Sequence, residues 1–207
     1  MAVTGVVLLL FIVAHMVGNL KIFTGERHFD EYGAFLRNIG SPVLGPSWYL
    51  WVQRAVLLGA VGLHIVAAYQ LAVRSRAARP VRYVHTDTVA ASYASRTMRW
   101  SGVIIGLFVI YHLLHFTTGA VHPDFEFEHP YHNVIVGFQV PYVALVYIAA
   151  VAALGLHLYH GIWSLCQTLG VRSTSERTLR RFAGIVGVTV FVGYASVPAA
   201  VLAGVLS

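Results

Sequence analysis

The amino-acid sequence predicts an all-α membrane protein with five transmembrane helices. Of its 207 residues, 57% are hydrophobic and only 11% are charged, a composition typical of membrane proteins. Five stretches are long and apolar enough to cross a bilayer, which requires roughly 20 such residues. The loops between these stretches alternate in charge, as the loops of a multi-pass protein do. We therefore expect one membrane domain that covers residues 1–207.

The predicted spans follow one another along the whole chain. The first lacks a basic leading segment and a small-residue cleavage site, and it contains His15, so we expect a retained helix rather than a signal peptide. After it, apolar residues at helical spacing over 29–40 predict a short amphipathic helix on the outer surface. The five spans cover about 3–22, 48–73, 100–120, 139–169 and 182–206.

The charge of the loops predicts the orientation of the chain. The second and fourth loops are basic, the third is acidic and the first is balanced. Because basic loops stay in the cytoplasm, we expect a cytoplasmic N-terminus and an external C-terminus. The second loop holds Arg74, Arg76, Arg79, Arg82, Arg96 and Arg99 against Asp87, the fourth holds Arg172, Arg177, Arg180 and Arg181 against Glu176, and the third holds Asp124, Glu126 and Glu128.

Six of the 11 histidines lie inside the predicted spans, where ionisable side chains are costly and usually functional. For any one of these histidines, a helix–helix hydrogen bond is about as good an explanation as a functional role. It explains less well why each of the first four spans carries at least one. The six are His15, His64, His112, His115, His157 and His160, whereas His28, His85, His122, His129 and His132 are expected in loops.

Counted from the outer boundary, these histidines fall into two depth classes, roughly 12 Å apart at a rise of ~1.5 Å per residue. His15 on the first span matches His112 or His115 on the third, and neither depth nor neighbouring residues choose between these two. His64 on the second span matches His157 on the fourth. Two facing pairs at two depths are what two stacked b-type haems require, because each iron takes two imidazoles and the haem is not covalently attached.

Other chemistries fit the pattern less well. The single cysteine, Cys166, excludes an internal disulfide, a four-thiolate cluster held by this chain alone and covalent haem attachment. A mononuclear zinc or copper site needs three or four ligands at one depth. A stand-alone transmembrane di-haem cytochrome is an alternative, and so is a histidine-lined proton relay or transporter, although no span contains Asp or Glu. Nucleic-acid binding is not expected.

Four segments together resemble the five-helix, di-haem cytochrome b membrane anchor of bacterial succinate dehydrogenases and fumarate reductases. The resemblance covers nearly the whole chain, and the segments stand in the family's order. They are HMVGNL (15–20), W-x-x-R followed by GLHI (Trp51, Arg54, Gly62 to Ile65), YHLLHF (111–116) and LHLYHGIWSLCQTLG (156–170).

The resemblance implies which histidines bind haem. The first and third helices would hold a distal haem, near the outer face, through His15 and His112. The second and fourth would hold a proximal haem, on the cytoplasmic side, through His64 and His157. It is the family's pattern that selects His112 over His115. The first four spans would then form a bundle around two stacked haems.

The resemblance also implies partners and a reaction. A flavoprotein subunit and an iron–sulfur subunit would be separate chains, with the succinate site on another chain than this one. Electrons would pass from succinate through the haems to a quinone, with menaquinone expected, as a step of the tricarboxylic acid cycle in a bacterial plasma membrane. A higher oligomer is compatible with this arrangement. Some relatives place Glu two residues before the fourth-span ligand for proton transfer, but this chain has Gly155 there, so that pathway is not expected.

Polar residues near the outer ends of the first two spans are candidate contacts of a quinone or of haem propionates. A quinone needs an apolar slot with hydrogen-bond donors and a proton source. His115 and His160 are candidates for the same roles. Each of these residues is as readily explained as an ordinary interfacial or structural group. The remaining candidates are Lys21, Arg27, His28, Asp30, Glu31, Gln53 and Arg54.

Overall fold

The computed structural model describes residues 1–78, 89–170 and 175–207, with the backbone alone described for 89–96. These residues form helices and connecting turns and contain no strand. Five of the helices are long and apolar enough to cross a membrane, which confirms the predicted all-α class and the five spans. The α-helices are α1 (Ala2–Leu20), α2 (Glu26–Asn38), α3 (Ser41–Leu44), α4 (Trp48–Ala77), α5 (Val89–Phe116), α6 (Pro130–Gln139), α7 (Pro141–Thr168) and α8 (Glu176–Leu202), and a short 3-10 helix (Lys21–Thr24) follows α1.

Several membrane helices have other ends than predicted. Helix α4 continues to Ala77 rather than to residue 73, α5 begins at Val89 rather than at residue 100, and α8 covers Glu176–Leu202 rather than 182–206. Helix α5 stops at Phe116 rather than at residue 120, and the turn that follows contains Gly119 at a φ of 72°. The fourth predicted span is preceded by a separate helix, α6, which sequence analysis did not identify. The two helices are divided because Val140 is extended (φ −82°, ψ 105°) and Pro141, which has no amide hydrogen, begins α7.

The polar segment between α1 and α4 contains the predicted amphipathic helix, which is confirmed as α2 and begins three residues earlier than expected. Helix α2 buries Phe29 and packs against α6 and α4. His28 lies in α2 and His132 lies in α6, both between the membrane helices as predicted, although in short helices rather than in irregular chain. Arg79, Arg82, His85, Asp87 and Arg172, which entered the charge argument or the histidine count, lie outside the described residues.

Helices α1, α7 and α8 pack against one another, and the other two membrane helices pack on this group. Helix α8 is central to it. It packs along α7 and also contacts α1 and α6, while α5 packs on α7 and α4 packs on α1. Helices α7 and α8 approach closely at two glycines: a Cβ on Gly155 would lie 2.9 Å from the carbonyl oxygen of Gly187, and one on Gly187 would lie 2.7 Å from that of Gly155. A glutamate at position 155 would collide with α8, which gives a physical reason for the glycine there.

Buried side chains fall into two clusters that fix the relative positions of the helices. The first joins α2, α6, α7, α8 and the 3-10 helix after α1, at the end of the bundle that carries the loops after α1 and α5, and the second joins α1, α7 and α8. Helix α4 is much less buried, with Ala60 as its one buried residue, so most of its apolar surface is available to lipid. The first cluster comprises Ile22, Phe29, Ile135, Phe138, Val143, Ala144, Tyr147, Val197 and Val201; the second comprises Met16, Leu158, Ile162, Ala183 and Val190.

Candidate functional site

The first candidate site, which we call the shallow pair, consists of His15 on α1 and His112 on α5. Their ring centroids lie 6.0 Å apart, and their ring planes are inclined by 82°. Two imidazoles that bind one metal ion from opposite sides, each through a bond of about 2 Å, hold their centroids about 6 Å apart. Both planes can contain the metal–nitrogen axis at any mutual angle, so this inclination is compatible with such binding. The shallow pair therefore has the spacing of a bis-imidazole metal site.

The second site, the deep pair, consists of His64 on α4 and His157 on α7. Their ring centroids lie 6.5 Å apart, with the planes inclined by 60°, so this pair also has the spacing of a bis-imidazole site. Helices α1 and α5, which carry the shallow pair, each place a glycine beside one ring of the deep pair. A Cβ on Gly5 of α1 would lie 3.8 Å from His64 Cε1, and one on Gly102 of α5 would lie 3.6 Å from His157 Cε1.

Both rings of the deep pair contact a hydroxyl group from a neighbouring helix. Thr4 Oγ1 on α1 lies 3.1 Å from His64 Nδ1. Ser101 Oγ on α5 lies 3.1 Å from His157 Nδ1. A hydrogen bond to one ring nitrogen fixes the orientation of an imidazole and leaves the other nitrogen free for a metal. Sequence analysis missed both hydroxyl groups.

Aromatic side chains surround the shallow pair. Phe11 stacks on His15, with the ring centroids 5.2 Å apart and the planes inclined by 14°. Phe108 and Phe116 lie on either side of His112 along α5, at 5.9 and 5.8 Å. The shallow rings are thus held largely by the shape of their aromatic surroundings.

Tyr147 on α7 links His112 to His115. Its hydroxyl oxygen lies 3.0 Å from His115 Nδ1 and 3.4 Å from His112 Nδ1. His115 is fully buried and lies beside His122, with 4.8 Å between the ring centroids. Its Nε2 atom has no hydrogen-bond partner among the described residues. The structure places His112 opposite His15 and places His115 among aromatic side chains of α5 and α7.

His160 follows His157 by three residues on α7 and contacts Tyr159. Its ring lies 5.0 Å from that of Tyr159, with the planes inclined by 58°, and it is only partly buried. Of the two candidate ligands on this span, His157 is the one that faces His64.

Three of the charged candidates, all on α2, pair with one another. Arg27 Nε donates a hydrogen bond of 2.8 Å to Glu31 Oε1, and His28 Nδ1 lies 3.8 Å from Glu31 Oε2. The hydrogen bond and the charge of its partner raise the pKa of Arg27 and lower the pKa of Glu31. All three side chains are largely exposed, so the structure gives them the form of a surface ion-pair group.

Three other candidates also have local partners. Asp30 Oδ1 accepts a hydrogen bond of 2.9 Å from the backbone amide of Tyr131, in the first turn of α6. Lys21 Nζ lies 5.0 Å from the ring centroid of Tyr32. The guanidinium of Arg54 lies 4.8 Å from the ring centroid of Trp51. Gln53, beside Arg54 on α4, is partly buried.

A cavity of about 170 Å³ opens beside the shallow pair. Asn19 and Tyr32 bring polar atoms to it, and none of the charged candidates lines it. A Cβ on Gly18 would lie 2.8 Å from the hydroxyl oxygen of Tyr32, so this glycine allows α1 and α2 to approach closely. The lining residues are His15, Gly18, Asn19, Phe29, Tyr32, Gly33, Leu36 and Pro130.

A family model described as "Succinate dehydrogenase/Fumarate reductase transmembrane subunit" matches residues 72–197, which is more than half of the chain. The matched range contains His112 and His157 and does not contain His15 or His64. No curated protein and no solved structure matches the chain.

Proposed function

We propose, because the chain belongs to the family of succinate dehydrogenase/fumarate reductase transmembrane subunits, that it passes electrons from an iron–sulfur subunit through two b-type haems to a quinone. Membership in this family makes the chain a multi-pass membrane subunit of an enzyme complex. It favours an anchor subunit over the stand-alone di-haem cytochrome and over the histidine-lined transporter. The succinate site, in this proposal, lies on a flavoprotein subunit.

The observation that carries the proposal is the presence of two facing histidine pairs, with ring centroids 6.0 and 6.5 Å apart. His15 and His112 would hold one haem, and His64 and His157 the other. Haem bound in this way supplies a one-electron carrier. The four imidazoles would hold the two groups, two imidazoles to each, between apolar helices. Four helices contribute one ligand each, so ligand binding also fixes the helices relative to one another.

The cavity beside His15 supports a quinone site at the shallow pair. Its volume of about 170 Å³ is below the roughly 300–1,000 Å³ of sites that enclose a whole ligand, so it suits a quinone head group with its tail in the lipid. Tyr32 and Asn19 supply hydrogen-bonding groups for the quinone oxygens. We expect menaquinone as the quinone.

The basic start of α8 supports docking of the iron–sulfur subunit on the opposite side. Arg177, Arg180 and Arg181 line an open depression of about 580 Å³ together with Tyr159 and Glu176. Arg180 is held in place, with its guanidinium 4.4 Å from the ring centroid of Trp163 and 2.7 Å from Glu176 Oε1. This face would be cytoplasmic in the orientation that the loop charges predict, in a bacterial plasma membrane.

The test is to purify the chain from its native membrane and measure haem content and reduction by succinate. We expect two non-covalent haems per chain, co-purification of a flavoprotein and an iron–sulfur subunit, and haem reduction by succinate. Purification as a single chain whose haems are reduced by ascorbate without any flavin would favour the stand-alone cytochrome. Well-expressed protein without haem would overturn the proposal.

A further inference from the structure

We propose that Thr4 and Ser101 are positioning residues for the deep pair: their hydroxyl groups hold His64 and His157 in the orientation and tautomer that a haem needs. The inference rests on the proposed function, because it concerns the haem that this pair would bind. It assigns a role at the deep pair to two residues on α1 and α5, the helices that carry the shallow pair.

The direction of each hydrogen bond follows from counting protons. A hydroxyl group has one proton to donate. Thr4 Oγ1 donates it to the carbonyl oxygen of Met1 at 2.9 Å, and Ser101 Oγ donates it to that of Met98 at 3.0 Å. Each hydroxyl oxygen therefore accepts at its second contact, which is with His64 Nδ1 or His157 Nδ1, both at 3.1 Å.

The consequence is that Nδ1 carries the proton in both rings. Nε2 of each deep histidine is then unprotonated, with a lone pair available to a metal ion. A hydrogen bond from Nδ1–H also raises the basicity of the ligand and fixes the ring plane. Ser101 is only 6% exposed, so water competes little for this hydrogen bond.

The two hydroxyl groups occupy equivalent places in their helices. Thr4 precedes His15 by 11 residues, and Ser101 precedes His112 by 11 residues. Eleven residues make about three turns of an α-helix, so each hydroxyl lies on the same face as the histidine that follows. Each is followed by a glycine, Gly5 or Gly102, against which the deep ring packs.

In both α1 and α5, one face of the helix thus contributes to both histidine pairs. That face presents a histidine to the shallow pair and a hydroxyl group to the deep pair. The repetition of one arrangement in two helices, with the same spacing and the same hydrogen-bond distances, is difficult to explain by packing alone. It predicts that a change on the helices of the shallow ligands alters the haem at the deep pair.

The experiment is a redox titration of both haems in the purified complex that carries Thr4→Val or Ser101→Ala. Without the hydrogen bond the imidazole donates less electron density to ferric iron, so the midpoint potential of one haem should rise. The same haem should shift in both variants, and it should be the haem that His64→Ala removes. The affinity of the deep pair for its haem should fall about tenfold or more.

Matched variants separate hydrogen bonding from packing. Thr4→Ser and Ser101→Thr keep the hydroxyl group and should titrate like the wild type. Ser196→Ala removes a hydroxyl group that makes the same kind of bond, to the carbonyl oxygen of Gly193 at 2.7 Å, on a helix without a proposed ligand. It should shift neither haem.

The outcomes are distinguishable. Wild-type protein without haem would overturn the proposed function and this inference with it. Two haems in the wild type, with unchanged potentials in both Thr4→Val and Ser101→Ala, would overturn the inference and leave the function standing. A shift confined to the haem that His15→Ala removes would also overturn the inference, because each helix would then act only on its own histidine.

Discussion

The deep and shallow histidine pairs have nearly the same spacing but are held in different ways. Both deep rings contact an aliphatic hydroxyl at 3.1 Å. In the shallow pair, His15 stacks on Phe11, and His112 contacts the phenol of Tyr147 at 3.4 Å. Hydrogen bonds fix the deep rings and aromatic packing largely fixes the shallow ones. A similar spacing of two imidazoles can therefore be reached with different neighbouring side chains.

The two pairs also differ in the groups to which their hydrogen-bonding partners are connected. The two hydroxyl groups at the deep pair donate hydrogen bonds to backbone carbonyl oxygens, so each chain of hydrogen bonds ends there. Tyr147 instead connects His112 to a further buried imidazole, His115. If His112 binds iron through Nε2, its Nδ1–H donates to the Tyr147 oxygen, and the phenol proton goes to His115 Nδ1. The shallow pair is thus part of a larger polar group than the deep pair.

The largest expected effect separates the two pairs by haem content. We expect His112→Ala and His157→Ala each to lose one of two haems, and the absorption spectra of the remaining haems should differ. The physical reason is the removal of one of two iron ligands. Pyridine haemochrome analysis of the purified complex measures this. His115→Ala is the control and should keep both haems, whereas loss of a haem in that variant alone would reverse the assignment on α5.

A smaller effect is expected from Tyr147→Phe, which alters only the shallow pair. The change leaves the buried Nδ1 of His115 without its partner, which costs about 1–3 kcal/mol of stability, and it removes the contact to His112. Thermal unfolding should show the loss of stability. A redox titration should show a shifted midpoint potential only for the haem proposed at the shallow pair. Tyr131→Phe removes an exposed hydroxyl that bonds to the backbone of Ser207 and is the matched control. An equal shift of both haems would show that the pairs are not independent.

The smallest effect concerns the cavity beside His15. In Gly18→Ala the new Cβ would displace Tyr32, whose hydroxyl oxygen would lie 2.8 Å away, so quinone reduction should slow by about tenfold while both haems remain. Gly59→Ala is the control, because nothing lies within 4 Å of a Cβ there. Steady-state quinone reduction by the complex measures the rates. Equal rates in the two variants would argue against a quinone site in this cavity.

Sequence analysis predicted the spans because hydropathy over about 20 residues determines which helices cross a bilayer. Counting depth along those helices also identified His64 and His157, which the structure brings together. It left His112 and His115 unresolved, because both lie on one helix a single turn apart. Their difference depends on contacts with α1 and α7, which the spacing within α5 does not contain.

The hydroxyl groups were missed for a related reason. Thr4 lies 60 residues from His64, and Ser101 lies 56 residues from His157, so no local pattern links them. The one signal in the sequence is the repeated hydroxyl–glycine pair at 11 residues before His15 and before His112. The division of the fourth span was visible at Pro141, but a proline at the start of a helix is common, so it did not by itself indicate a second helix.

The central claim is that His15 pairs with His112 and His64 pairs with His157, each pair holding one haem. Haem content of double variants tests this pairing directly. Within a pair, His15→Ala/His112→Ala should lose no more haem than either single variant, so one haem per chain remains. Across the pairs, His15→Ala/His64→Ala should lose both. One haem retained in the second variant, or none in the first, would contradict the pairing.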